Sequence, residues 1–217
     1  MQIRDDDTVL FQGDSITDAG RERDSDDGTI QSLGNGYAML TARALQRQTP
    51  GVRTINRGVS GNHLKTIRQR WAADTLDLKP TVVSLLLGVN DTWHGVAMGN
   101  PEGGTTLEYF ADHLPRLIQE TRTALPGVRV VLCEPFVLET GKVLDQAFHP
   151  DIDKRQEIVR RVAETDADVF VPFQRVFDDA VRSTDTNPSH WSGDGVHPTR
   201  AGHQLMADAW LEAVAAG

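Results

Sequence analysis

The sequence predicts an α/β fold built on a parallel sheet with helices covering both faces. Three observations carry that prediction. Five short apolar runs rich in β-branched residues recur at 8–13, 52–57, 81–87, 128–134 and 168–172. Each holds several apolar residues in a row, as a strand buried on both faces must. Segments with helical spacing separate them, and strands that alternate with helices pair in parallel through right-handed crossovers. The 217 residues show neither a linker nor an internal repeat, so residues 1–217 are expected to form one domain.

The helices follow from periodicity. Tyr37, Leu40, Ala44 and Leu45 share one face of a helix near 36–48. Leu64, Ile67 and Trp71 mark a second, and Leu107, Phe110, Leu114, Leu117 and Ile118 a third. Ile152, Ile158, Val159 and Val162 mark a fourth. The last, over 199–215, carries Leu205, Met206, Ala209, Trp210 and Val214. Trp71 and Trp210 lie on these apolar stripes and are expected to pack in the core. The acidic, arginine-bearing stretch Gly20 to Gly34 and the glycine-rich stretch His94 to Thr106 read as long loops. Both follow strand ends, and loops at the carboxyl ends of parallel strands build the ligand crevice.

Composition narrows the function. Hydrophobic content of 39% and charged content of 24% are those of an ordinary globular protein. A net charge of −9 argues against a nucleic-acid binder, which carries a basic face, and favours small or neutral ligands. The single cysteine, Cys133, lies in an apolar run and reads as a buried small hydrophobe. The acidic start, Met1 to Thr8, lacks the basic and apolar regions of a secretory signal. No apolar run reaches the length of about 18 residues that a membrane span needs. The expectation is a cytoplasmic protein without a membrane partner.

Two ends of the chain hold complementary chemistry. Acyl transfer needs a hydroxyl, an imidazole to take its proton and a carboxylate to orient the imidazole. Gly13-Asp14-Ser15-Ile16-Thr17-Asp18 closes the first apolar run, and Asp194-Gly195-Val196-His197-Pro198 precedes the last helix. Asp194 and His197 are three residues apart, so one loop can present both. Pro198 stiffens the chain after the imidazole. Between these ends, Asn56-Arg57-Gly58-Val59-Ser60-Gly61-Asn62 follows the second run and Gly88-Val89-Asn90-Asp91 the third. A glycine there lets a backbone N–H approach a substrate, and the Asn90 amide can point at the same oxygen. The G-x-S-x-G elbow of α/β-hydrolases is absent, because Thr17 takes the place of its second glycine.

In this order and spacing the four blocks resemble the SGNH (GDSL-type) hydrolases, over residues 8–210. The matching residues are Ser15 in G-D-S-I-T-D, Gly61 in N-R-G-V-S-G-N, Asn90 in G-V-N-D and His197 in D-G-V-H-P-T. The same blocks look most like bacterial carbohydrate acetylesterases, especially intracellular acetylxylan esterases. The resemblance implies a flavodoxin-like, three-layer α/β/α sandwich with a five-stranded parallel sheet. It implies Ser15 as nucleophile, His197 as base and Asp194 as its orienting acid. The N–H groups of Ser15 and Gly61, with the Asn90 amide, would form the oxyanion hole. No metal, nucleotide or organic cofactor is needed for this chemistry. Asp14, beside the nucleophile, is expected to brace its loop or to meet substrate. Trp93 and Trp191 are candidates to line a sugar pocket, and His203 is expected to be structural. The implied partner is a small acylated carbohydrate, and the implied assembly a homo-oligomer.

A metal-dependent phosphoesterase is the sharpest rival. Gly61-Asn62-His63 and Gly13-Asp14 match pieces of its G-N-H and G-D motifs. The upstream D-x-H is missing, and Leu64 rather than an acid follows His63.

Overall fold

The computed structural model describes residues 1–100 and 102–216. Strand β1 (Thr8–Gly13) is followed by two short helices, α1 (Ser15–Asp18) and α2 (Ile30–Leu33), and by α3 (Tyr37–Gln48). Then come β2 (Arg53–Asn56), α4 (Leu64–Trp71) with a wider π-helical turn at Ala72–Leu76, and β3 (Val82–Leu86). A second π-helical turn, Asp91–Ala97, leads to α5 (Leu107–Ala124), β4 (Arg129–Cys133), α6 (Lys142–Asp145) and α7 (Asp151–Asp166). Strand β5 (Val169–Val171), α8 (Phe173–Thr184) and α9 (Arg200–Ala216) complete the order. The five strands are all parallel, in the order β2-β1-β3-β4-β5. This is the flavodoxin-like order, whose switch point beside β1 and β3 opens a crevice at the carboxyl strand ends.

The uninterrupted apolar runs have a simple cause: both faces of the sheet are covered. Val82 and Leu86 of β3 face one layer, with Val131 and Cys133 of β4. Val83 and Leu85 face the other, with Val130 and Leu132. The first layer packs Phe11 against Tyr37 and Trp210, and Tyr37 against Phe173. It is roofed by α3, α8 and α9. The second is roofed by α4, α5 and α7 through Leu64, Ile67, Trp71, Phe110, Leu117 and Val159. Each of these side chains contributes about 1.5–3 kcal/mol by leaving water. Both indoles carry their N–H inward to a hydroxyl, Trp210 Nε1 to Ser84 at 2.9 Å and Trp71 Nε1 to Thr121 at 2.9 Å. Cys133 is buried, and burial pushes its thiol up to about 12.

Three differences from the expected elements have local causes. Phe173–Thr184 is a helix, built on an apolar face that buries Phe173, Phe177 and Ala180 and half-buries Val176 and Val181. The stretch 20–34 contains the short helix α2, begun by Thr29 Oγ1 accepting from the Ser32 N–H at 3.2 Å. The stretch 94–106 starts inside the second π-helical turn, which ends at Ala97. No helix among the described residues is long and apolar enough to cross a membrane.

Candidate active site

The crevice brings the distant segments together. Ser15 is the first residue of α1, directly past the end of β1. Its Oγ donates to His197 Nε2 at 2.9 Å, and His197 Nδ1 donates to Asp194 Oδ2 at 2.8 Å. The tautomer follows from the acid. Burial pushes the Asp194 carboxyl up, but the His197 ring and the backbone N–H groups of His197 and Val196 outweigh it and hold the group below the usual carboxylate range. An ionised carboxylate accepts, so Nδ1 keeps its hydrogen and Nε2 is free to receive a proton. Asp194 Oδ1 is occupied by the His197 N–H at 2.7 Å and the Val196 N–H at 3.0 Å, which fixes the carboxylate plane.

The loop carrying this pair is held by main chain. Leu138 N–H donates to the Gly195 carbonyl at 2.8 Å, and Lys142 N–H to the Asp194 carbonyl at 3.0 Å. Ser192 Oγ donates to the His197 carbonyl at 2.8 Å, and Ser192 bridges Pro198. Trp93 lies against the imidazole, ring centroids 5.7 Å apart, and its Nε1 donates to Gln146 at 2.7 Å. It is almost wholly buried and packs on Phe148, with the Lys142 ammonium 4.9 Å from its centre. It therefore walls the imidazole rather than presenting an open face to a sugar.

Gly61 and Asn90 lie on the loops past β2 and β3. Gly61 has φ +79°, in the left-handed region that favours glycine. The Asn90 amide donates to the Asn62 carbonyl at 3.0 Å, so the two candidate oxyanion segments are tied to each other. Buried side chains pin the loop from below. Asn56 donates to the carbonyls of Thr17 and Leu33 at 2.7 and 2.9 Å and accepts the Gly58 N–H at 2.8 Å. Asp18 accepts the Ser60 N–H at 3.1 Å. Asp91 accepts the Leu64 N–H at the start of α4, and burial raises its carboxyl against the pull of Arg155. Arg155, fully buried, donates to Asp151 and to the Thr105 carbonyl, closing the loop that follows Asn90.

Two candidate substrate residues fall elsewhere. Asp14 is fully buried, and its Oδ1 caps α1 by accepting the Ile16 N–H at 2.9 Å. Burial pushes it up to about 7. It braces Ser15 from beneath and has no exposed face to offer a ligand. Trp191 is half-buried, donates to Thr186 at 2.8 Å, packs edge-on against His190, and accepts the Thr199 N–H at 2.8 Å. These contacts shape the loop ahead of Asp194. His203 Nδ1 accepts the Tyr37 N–H at 3.1 Å, and burial lowers the ring to about 4, so it is neutral there. The braces Asn56, Asp18, Asp91 and Arg155 escaped sequence reasoning, since each reaches at least one partner in a remote segment.

The model of the GDSL-like lipase/acylhydrolase family matches residues 11–205. An acetylxylan esterase of Geobacillus stearothermophilus is 32% identical over 217 residues, 99% of this chain and 96% of that protein. Its crystal structure superposes with a TM-score of 0.88, covering 99% of this chain and 96% of that one. A protein of Parabacteroides merdae described as GDSL-like lipase is 39% identical, with a TM-score of 0.89 over 100% of this chain and 99% of its own. Two structures of the Geobacillus enzyme are catalytic mutants, one with a serine and one with an aspartate replaced by alanine. The chain belongs to the GDSL-like lipase/acylhydrolase family and is a carboxylic ester hydrolase.

Proposed function

We propose that the protein is a serine esterase that removes acetyl groups from small sugars, xylo-oligosaccharides foremost. The continuous hydrogen-bonded chain from Ser15 through His197 to Asp194 carries the reading. His197 Nε2 takes the Ser15 proton as Oγ attacks the ester carbonyl. The resulting oxyanion lies towards the N–H groups of Ser15 and Gly61 and the Asn90 amide. His197 then gives its proton to the leaving sugar hydroxyl. A water attacks the acyl-enzyme with His197 again as base, releasing acetate and restoring Ser15. Asp194 keeps the ring oriented and stabilises its charge without itself taking the proton.

Trp93, whose buried ring packs against the imidazole, bounds the site on that side. The sugar draws support from the relatives, which are described as acetylxylan and acetyl-xylooligosaccharide esterases. The reading extends to a cytoplasmic enzyme that acts on short imported oligosaccharides, and to a homo-oligomer measurable by sedimentation. Release of acetate from peracetylated xylobiose, run beside a series of acyl-chain lengths, tests it. Acetyl esters should turn over fastest, octanoyl esters hardly, and a chelator should change nothing. Preference for octanoyl esters would replace the acetylesterase with a lipase-like enzyme, and loss of activity to a chelator would favour the metal phosphoesterase.

A further inference from the structure

We propose that Arg70 is a positioning residue that sets the oxyanion hole by holding Asn62 and the end of β1 in one grip. The inference rests on the reading of Gly61 and Asn90 as oxyanion donors and adds a residue behind them. Arg70 sits near the end of α4 and turns its guanidinium under the crevice loops. Its Nε donates to Asn62 Oδ1 at 2.6 Å. The two hydrogens of its Nη1 are shared among Gln12 Oε1 at 2.9 Å, the Arg57 carbonyl at 2.8 Å and Asp74 Oδ2 at 3.1 Å. Its Nη2 donates to the Gly13 carbonyl at 3.2 Å. One side chain thus joins the last two residues of β1, both ends of the loop after β2, and the turn beyond α4.

The chemistry of these partners argues for placement over stability. The side chain is only 17% exposed, yet Asp74 is its sole charged acceptor, and that carboxylate is itself 31% exposed. The others are neutral amide and carbonyl oxygens. Burying a cation against neutral acceptors is costly, and a neutral side chain would fill the same space at less cost. What a guanidinium adds is direction, because its planar fork sends donors along fixed angles.

The consequence reaches the donors through Asn62. Its side chain is held by Arg70, and its carbonyl accepts the Asn90 amide. On the other flank of Gly61, the Ser60 N–H is held by Asp18. The Gly61 peptide is therefore fixed from both sides, Arg70 supplying one of them. The Gly13 carbonyl that Arg70 reaches also accepts the Val59 N–H at 3.0 Å, so the nucleophile's strand and the oxyanion loop share one anchor. Loosening it would misplace donors that matter only once charge has moved to the substrate oxygen, so kcat should fall and KM should not rise.

The test is steady-state kinetics on 4-nitrophenyl acetate for Arg70→Met, Asn62→Ala, the double variant, Ser15→Ala and Asn90→Ala. Arg70→Met should lose about tenfold to a hundredfold in kcat, with KM within about threefold. Asn62→Ala should reproduce part of that loss, and the double variant should be no worse than Arg70→Met, because both cut the same link. Ethylguanidinium should restore part of the rate to Arg70→Ala, which leaves the space open, and none to Asn62→Ala. Should Arg70→Met fail to fold, Arg70→Lys keeps the charge without the fork, and the same non-additivity is read on that background. Wild-type kcat at Arg70→Met, multiplying losses in the double variant, or a rise in KM alone would overturn the inference. Full turnover in Ser15→Ala would instead bring down the reading of the site beneath it.

Discussion

The two halves of the site are built on opposite plans. On one side, Ser15, Gly61 and Asn90 stand past three strand ends, and the buried side chains of Asn56, Asp18 and Asp91, with the half-buried Arg70, tie the loops together. On the other, Asp194 and His197 ride a loop outside the sheet, with side chains 27% and 43% exposed. Backbone bonds to Leu138 and Lys142 hold that loop. The contrast fits the roles proposed for the two halves. Stabilising an oxyanion needs dipoles already aimed and shielded from water. Carrying a proton to a sugar hydroxyl and then from a water needs an imidazole that both can reach.

Rates should separate the halves first. His197→Ala is expected to cost on the order of 10⁶ in kcat, and Asp194→Asn on the order of 10⁴, because the amide leaves the ring in the wrong tautomer. Single-turnover kinetics on 4-nitrophenyl acetate reads both, and equal losses would deny Asp194 a merely orienting role.

Gly141 tests how the exposed loop is held. It has φ +53°, and a methyl group there would stand 2.7 Å from Asp194 Cα and from the Gly193 carbonyl. Gly141→Ala should push the Asp194 loop away from Ser15, lowering kcat about tenfold, and cost about 2 kcal/mol of stability. An unchanged rate would mean that the loop tolerates displacement, and that its tether is dispensable.

The buried half should show its plan in the pH dependence of stability. Asp14 has its carboxyl raised from 3.8 to about 7 by burial, with the Ile16 N–H and His197 opposing. The folded state therefore holds the proton where the unfolded chain has released it. This contribution to stability is full below pH 3.8 and is lost as pH rises towards about 7. Its upper bound is about 4 kcal/mol. Asp14→Asn keeps the cap and removes the titration, so the variant should gain on the wild type steadily from about pH 4 to about pH 7. Burial of His203, lowered to about 4, gives the opposite slope in both proteins and cancels in the difference. Parallel urea midpoints across that window would show Asp14 to be ionised in the fold.

The same contrast explains what the sequence makes legible. Asp194 and His197 are three residues apart on one loop, so their partnership is local and readable. The strands are readable because two covered faces demand unbroken apolar runs, as at Val82–Leu86. Helix α8 is readable too, since Phe173, Val176, Phe177, Ala180 and Val181 recur at helical spacing on one face, although no helix is expected there above. Arg70 is not readable. Of its five acceptors, two are main-chain carbonyls, and they come from separate segments that only the fold assembles. Asp14 divides the two cases: its place beside Ser15 is plain from the chain, but its burial beneath Ser15 needs the packed structure.

Covalent capture of the nucleophile tests the central claim most directly. A fluorophosphonate should label the protein once, on Ser15 by peptide mapping, and labelling should collapse in His197→Ala although the serine remains. A label on another residue, or undiminished labelling of Ser15 without the imidazole, would contradict the account.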